Sequence, residues 1–87
     1  MKKVWGDEAW EDYLYWQTQD KKTLRQINKL LKDIDWNGNT GLGQPEALKY
    51  DLAGYWSRRI DEKNRLVYKI VDGEIRIAQC RTHYKDK

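Results

Sequence analysis

The stretch Trp56-Ser57-Arg58-Arg59-Ile60-Asp61-Glu62-Lys63-Asn64-Arg65-Leu66-Val67-Tyr68 decides how this chain folds. Two short alternating runs flank a polar, charged connection, which is the signature of a β-hairpin. Trp56, Ile60, Leu66, Tyr68 and, just beyond, Ile70 all carry even numbers. Side chains alternate across a strand, so one register gathers these five on a single face and turns Ser57, Arg59, Arg65 and Val67 to the other. Two guanidiniums then lie side by side on adjacent strands, where like charges repel and weaken a sheet. The pattern points to an anion held between them.

Downstream of the hairpin, Asp72-Gly73 marks a tight turn and Ile75–Cys80 a last strand. At the other end, Lys2–Trp5 reads as a short opening strand. A helix begins at Gly6-Asp7-Glu8, where Asp7, Glu8, Glu11 and Asp12 suit its N-terminal dipole. Ala9, Trp10, Tyr13, Leu14 and Trp16 recur at helical spacing, as a core-facing stripe does. Asp20 is placed to cap a second helix, whose stripe is Leu24, Ile27, Leu30, Leu31 and Ile34. Arg25, Lys29 and Lys32 fall on its solvated side. A short connection between the two predicts a helical hairpin. Residues 36–44 form a glycine- and asparagine-rich loop, with Gly41-Leu42-Gly43 as turn chemistry. Pro45 is expected to hold Gln44 extended, ahead of a short polar strand at Lys49–Leu52. The order βααβββ predicts an α+β fold, with two helices on one face of a largely antiparallel four-stranded sheet.

With 87 residues the chain has room for one domain, 1–87, ending in a frayed tail at 85–87. Its 5 Trp and 6 Tyr, with no Phe, favour polar-tipped rings at the edge of the core. A lone Cys80 makes no intramolecular disulfide, and no apolar run reaches signal-peptide or membrane-spanning character, so a cytoplasmic protein without a membrane partner is expected. The net charge of +3 arises entirely beyond residue 43, where arginines Arg58, Arg59, Arg65, Arg76 and Arg81 fall in predicted strands. Arginine is the better bidentate partner for phosphate. One His and one Cys only three positions apart make no closed zinc site, and no cofactor fingerprint occurs, so neither metal nor cofactor is expected.

What remains is Glu46, Lys49, Arg59, Arg65, His83 and Tyr84. Taken singly, each has an ordinary reading: an exposed loop carboxylate, a solvated histidine, a packing tyrosine, arginines in surface ion pairs worth under about 1 kcal/mol. Their surroundings carry more. Trp10-Glu11-Asp12-Tyr13-Leu14-Tyr15-Trp16, Ile27-Asn28-Lys29-Leu30, Gly43-Gln44-Pro45-Glu46-Ala47-Leu48-Lys49, Trp56-Ser57-Arg58-Arg59-Ile60, Arg65-Leu66-Val67-Tyr68 and His83-Tyr84 stand in this order along the chain. In this the chain resembles the YoeB/Txe family of RelE-type toxins, ribosome-dependent messenger-RNA endonucleases of toxin–antitoxin pairs.

The resemblance implies that Glu46, Arg65, His83 and Tyr84 are catalytic, that Lys49 and Arg59 support them, and that no metal is used. It implies messenger RNA in the ribosomal decoding site as substrate, with the ribosome and a cognate antitoxin as partners and a homodimer as a further assembly. Two other readings use the same residues differently. A non-catalytic RNA- or ribosome-binding module needs the arginines and Tyr84 but not Glu46 and His83, and an antitoxin partner acting as transcriptional co-repressor needs neither. The chain departs from the family pattern at Asn37-Gly38 (a Pro-Phe pair in many relatives), Gln44, Ala47, Tyr50, Lys63 and the residues after Tyr84.

Overall fold

The computed structural model describes residues 1–82. Strand β1 (Lys2–Trp5) leads into helix α1 (Asp7–Gln19) and helix α2 (Lys21–Asn37). Strands β2 (Glu46–Ala47), β3 (Trp56–Arg59), β4 (Arg65–Val71) and β5 (Glu74–Gln79) follow, with a 3-10 turn at Tyr50–Leu52. The sheet has five strands in the order β1-β5-β4-β3-β2. Only β1–β5 is parallel; the other three pairings are antiparallel.

The fold is the expected α+β arrangement, with one strand more than predicted. Two corrections lie around residue 46. The strand expected at Lys49–Leu52 is instead the 3-10 turn, and the pairing segment is Glu46–Ala47. Tyr50 has φ 57, a left-handed conformation that no strand ladder accommodates. Gln44 is not extended but left-handed, with φ 52. The chain curls there because the Arg59 amide donates to the Gly43 carbonyl at 2.7 Å, and Gly43 (φ 79) lies flat against β3. A Cβ on Gly43 would sit 3.0 Å from both the Arg59 carbonyl oxygen and Leu30 Cδ2.

Local chemistry explains the helices. The Asp20 carboxylate accepts from the Lys22 and Thr23 amides, the expected N-cap of α2. Ile27, Leu30, Leu31 and Ile34 of α2 are buried in one cluster with Leu66, Tyr68, Ile75 and Ile77 of the sheet. The α1 stripe is narrower than predicted. Ala9 and Trp16 are buried, but Trp10 and Leu14 are exposed, and Asp12 occupies an inner position instead. The Asp72-Gly73 turn has φ 50 and 75, the paired left-handed values of a tight hairpin turn.

Candidate active site

The hairpin register is the predicted one. Ser57 pairs with Val67, and Arg59 lies directly opposite Arg65. Ile60, Leu66 and Tyr68 are buried on the helix side, with Trp56 and Ile70 packed against the same core. β2 adds Glu46 opposite Ser57. Residues directly opposite in an antiparallel ladder share a face, so Glu46, Ser57, Arg59, Arg65 and Val67 all face away from the helices. Strand geometry sets the scale: Glu46 is about 8 Å from Arg59 and about 12 Å from Arg65, Cα to Cα. Long side chains close such gaps around a phosphate.

The two arginines differ in state. Arg59 is exposed, whereas Arg65 is only 7% exposed. Among the described residues the Arg65 guanidinium makes no ion pair. Its Nη1 donates to the carbonyls of Asp61, Glu62 and Asn64, at 2.8, 3.2 and 3.2 Å. The loop it holds is organised by the Asp61 carboxylate, which accepts from the Lys63 and Asn64 amides. Glu46 and Lys49 are exposed, and both interact with other groups of the chain.

His83 and Tyr84 lie outside the described residues. The chain leading toward them is fixed at several points. Arg65 donates its amide to the Thr82 carbonyl at 3.0 Å, and the Thr82 amide donates to Asn64 Oδ1 at 2.6 Å. One turn earlier, the Cys80 amide donates to Asp12 and the Cys80 carbonyl accepts from Trp16 Nε1, both on α1. Arg81, expected in a strand, lies past the end of β5 and stacks its guanidinium 3.5 Å from the Tyr15 ring centroid. Burial pushes the Cys80 thiol up to about 12, so it is an inert packing group. Asp12 is raised by the same desolvation, opposed by its bond from the Cys80 amide.

Arg58, the neighbour of Arg59, is fully buried. Its guanidinium donates to the Asp33 carboxylate, to the carbonyls of Gly38, Thr40 and Leu42, and through Nε to the Tyr68 hydroxyl. It is the hub on which the loop carrying Gly43 and Glu46 is wound. Arg58, Asp33 and Asn64 all lie outside the set of candidates that the sequence singles out. The available signals were the strand alternation, which turns Arg58 toward the core, and the Asp-x-x-Asn spacing of a side-chain-bonded turn. Among the described residues no group of three or more His, Cys, Asp or Glu is placed to hold a metal ion.

A family profile described as "YoeB-like toxin of bacterial type II toxin-antitoxin system" matches residues 5–84. The chain belongs to the YoeB family. Toxin YoeB of Escherichia coli (strain K12) is 51% identical over 84 residues, spanning 97% of this chain and 100% of that one. The YoeB/ParE toxin from Agrobacterium tumefaciens superimposes with a TM-score of 0.94 at 43% identity, covering 97% of this chain and 100% of the other. Staphylococcus aureus YoeB, solved in a heterotetrameric complex with YefM, gives 0.91 at 49% identity over 97% and 98% of the two chains. The same S. aureus toxin has been solved as a dimer. As a YoeB-family member, the chain is a toxin of a toxin–antitoxin system, as its sequence motifs predict.

Proposed function

We propose that this YoeB-family toxin is an endoribonuclease that cuts messenger RNA in the ribosomal decoding site. The observation that carries the reading is the strand register that sets Glu46, Arg59 and Arg65 on one sheet face, beside the anchored Thr82. Glu46 takes the proton of a ribose 2′-hydroxyl, and the oxygen attacks the adjacent phosphorus. Arg65, with Arg59 and Lys49, stabilises charge on the phosphoryl oxygens. The bond to the 5′-oxygen breaks as protonated His83 donates to it, leaving a 2′,3′-cyclic phosphate and a 5′-hydroxyl. Tyr84 stacks on an unpaired base. The step consumes no metal or cofactor.

A rigid guanidinium suits this role. Tied to three carbonyls through Nη1, Arg65 requires little reorganisation as charge develops. The ribosome supplies the positioning that a shallow sheet face does not, so naked RNA is a poor substrate. The partner is a cognate antitoxin, as YefM is for the S. aureus relative. A homodimer is the second assembly, by analogy with that relative's dimer. The toxin acts in the cytoplasm as one domain.

The test is messenger cleavage in a translating extract. Wild type cuts; Glu46→Ala and His83→Gln slow cleavage about 10²–10⁴-fold, and Arg65→Ala about 10²–10³-fold. A wild-type chain that binds ribosomes and cuts nothing makes it a binding module instead. Full rate in His83→Gln removes the general-acid assignment alone.

A further inference from the structure

Helix α2 carries a feature that the sheet-face chemistry does not use. Lys22, Arg25, Lys29 and Lys32, followed by Trp36, repeat at alternating three- and four-residue spacing, and all five are exposed. At 3.6 residues per turn they fall within roughly 80° of arc, along about 21 Å of helix. Neighbouring cations at this spacing destabilise a helix. No carboxylate among the described residues lies within ion-pair distance of the four. The helix's own acids are engaged elsewhere: Asp33 with Arg58, and Asp35 with Lys3 and the N-terminal amine. At the end of the row Trp36 is 86% exposed, the most exposed large apolar side chain among the described residues. The opposite side of α2 is buried against the sheet, so the row looks away from Glu46 and Arg65.

We propose that this row is a second RNA-binding surface, on which α2 tracks the phosphates of structured ribosomal RNA while Trp36 stacks on an unpaired base. The inference rests on the ribosome being the toxin's site of action. A rigid line of cations about 5 Å apart along the axis matches a polyanion charged at every repeat. A solvated indole at its end matches a flat base, since stacking tolerates any base. An acidic polypeptide would also satisfy the cations, but only through an occasional aromatic or arginine side chain would it meet the indole, whereas every unpaired base offers a flat face. The RNA gripped here is a different segment from the strand being cut, so the row adds docking affinity and leaves the chemical step alone.

The experiment measures binding of full-length toxin to purified ribosomes and to polyglutamate over a range of salt concentrations, with cleavage followed on the same samples. Replacing Lys22, Arg25, Lys29 and Lys32 together by Gln should reduce the slope of log affinity against log salt by roughly 3 to 4. Trp36→Ala should weaken ribosome binding roughly 5- to 150-fold with the slope unchanged. Replacing the three lysines by arginine should keep both, which separates charge from folding. Unchanged ribosome affinity and slope in the Gln variant, while wild type still cuts, overturns the inference and leaves the endonuclease. Loss of polyglutamate binding alone overturns it in favour of an acidic protein partner. Wild type that docks through the row but never cuts sustains the inference and overturns the proposed function.

Discussion

Two adjacent arginines take opposite fates because a strand turns successive side chains to opposite faces. Arg59 faces outward and stays exposed; Arg58 is buried, and its fork fills with five acceptors. Replacing Arg58 by Met removes the donors while the carbonyls of Gly38, Thr40 and Leu42 stay in place. Each carbonyl left unsatisfied costs about 1–3 kcal/mol, so the melting midpoint should fall by more than about 10 °C. A thermal scan by circular dichroism checks this, and an unchanged midpoint would mean that the loop holds itself. Arg65 combines two duties, fixing the hairpin loop and facing the candidate phosphate site. Arg65→Lys keeps the charge but cannot reproduce a planar fork. Cleavage should drop about 10²-fold or more, by more than its loss of folded protein accounts for. The pairing of Arg59 with Arg65 was legible from the even-numbered apolar set. The acceptors of Arg58 were not, because they are main-chain carbonyls of a loop whose path depends on the arginine itself.

At the level of elements, the least predictable piece is the one that delivers Glu46. Strand β2 is two residues long, and its register with β3 places Glu46 opposite Ser57. Gly43 makes that register possible by lying against Arg59 in a left-handed conformation. Gly43→Ala adds a methyl group where neither the Arg59 carbonyl nor Leu30 leaves room, at a φ unfavourable for alanine. Cleavage should fall at least 10-fold while the remaining sheet persists, measured by activity against circular dichroism. Helix α2 is the contrasting case. Its stripe, cap and solvated face were all readable, since periodicity and an Asp cap are local signals. Asp20→Ala should lower the melting midpoint by roughly 4–8 °C, with no change in rate per folded molecule.

For the molecule as a whole, acid stability follows from which carboxylates the fold engages. Hydrogen bonds hold four aspartates below the ordinary 3.8: Asp20 through Thr23, Asp33 through Arg58, Asp35 through Lys3 and, despite its desolvation, Asp61 through Asn64. A depressed carboxyl contributes stability that is present above 3.8 and lost as pH falls through its folded value. Asp12, raised by desolvation, runs the other way: its contribution is full below 3.8 and lost as pH rises through its higher folded value. Four groups against one predict a melting midpoint that falls below pH 3.8, with a shallower acid limb in Asp33→Asn. The sequence by itself determined the α+β class, both helices, the hairpin register and the family, because alternation, periodicity and motif order are properties of neighbouring residues. Only the tertiary structure decided that β1 lies parallel to β5, that Glu46–Ala47 and not Lys49–Leu52 is the edge strand, and that Arg58 winds the glycine loop. It alone tied Thr82 to the base of Arg65. Each of these is a contact between residues distant in sequence, fixed by which buried polar group finds which partner when the core closes.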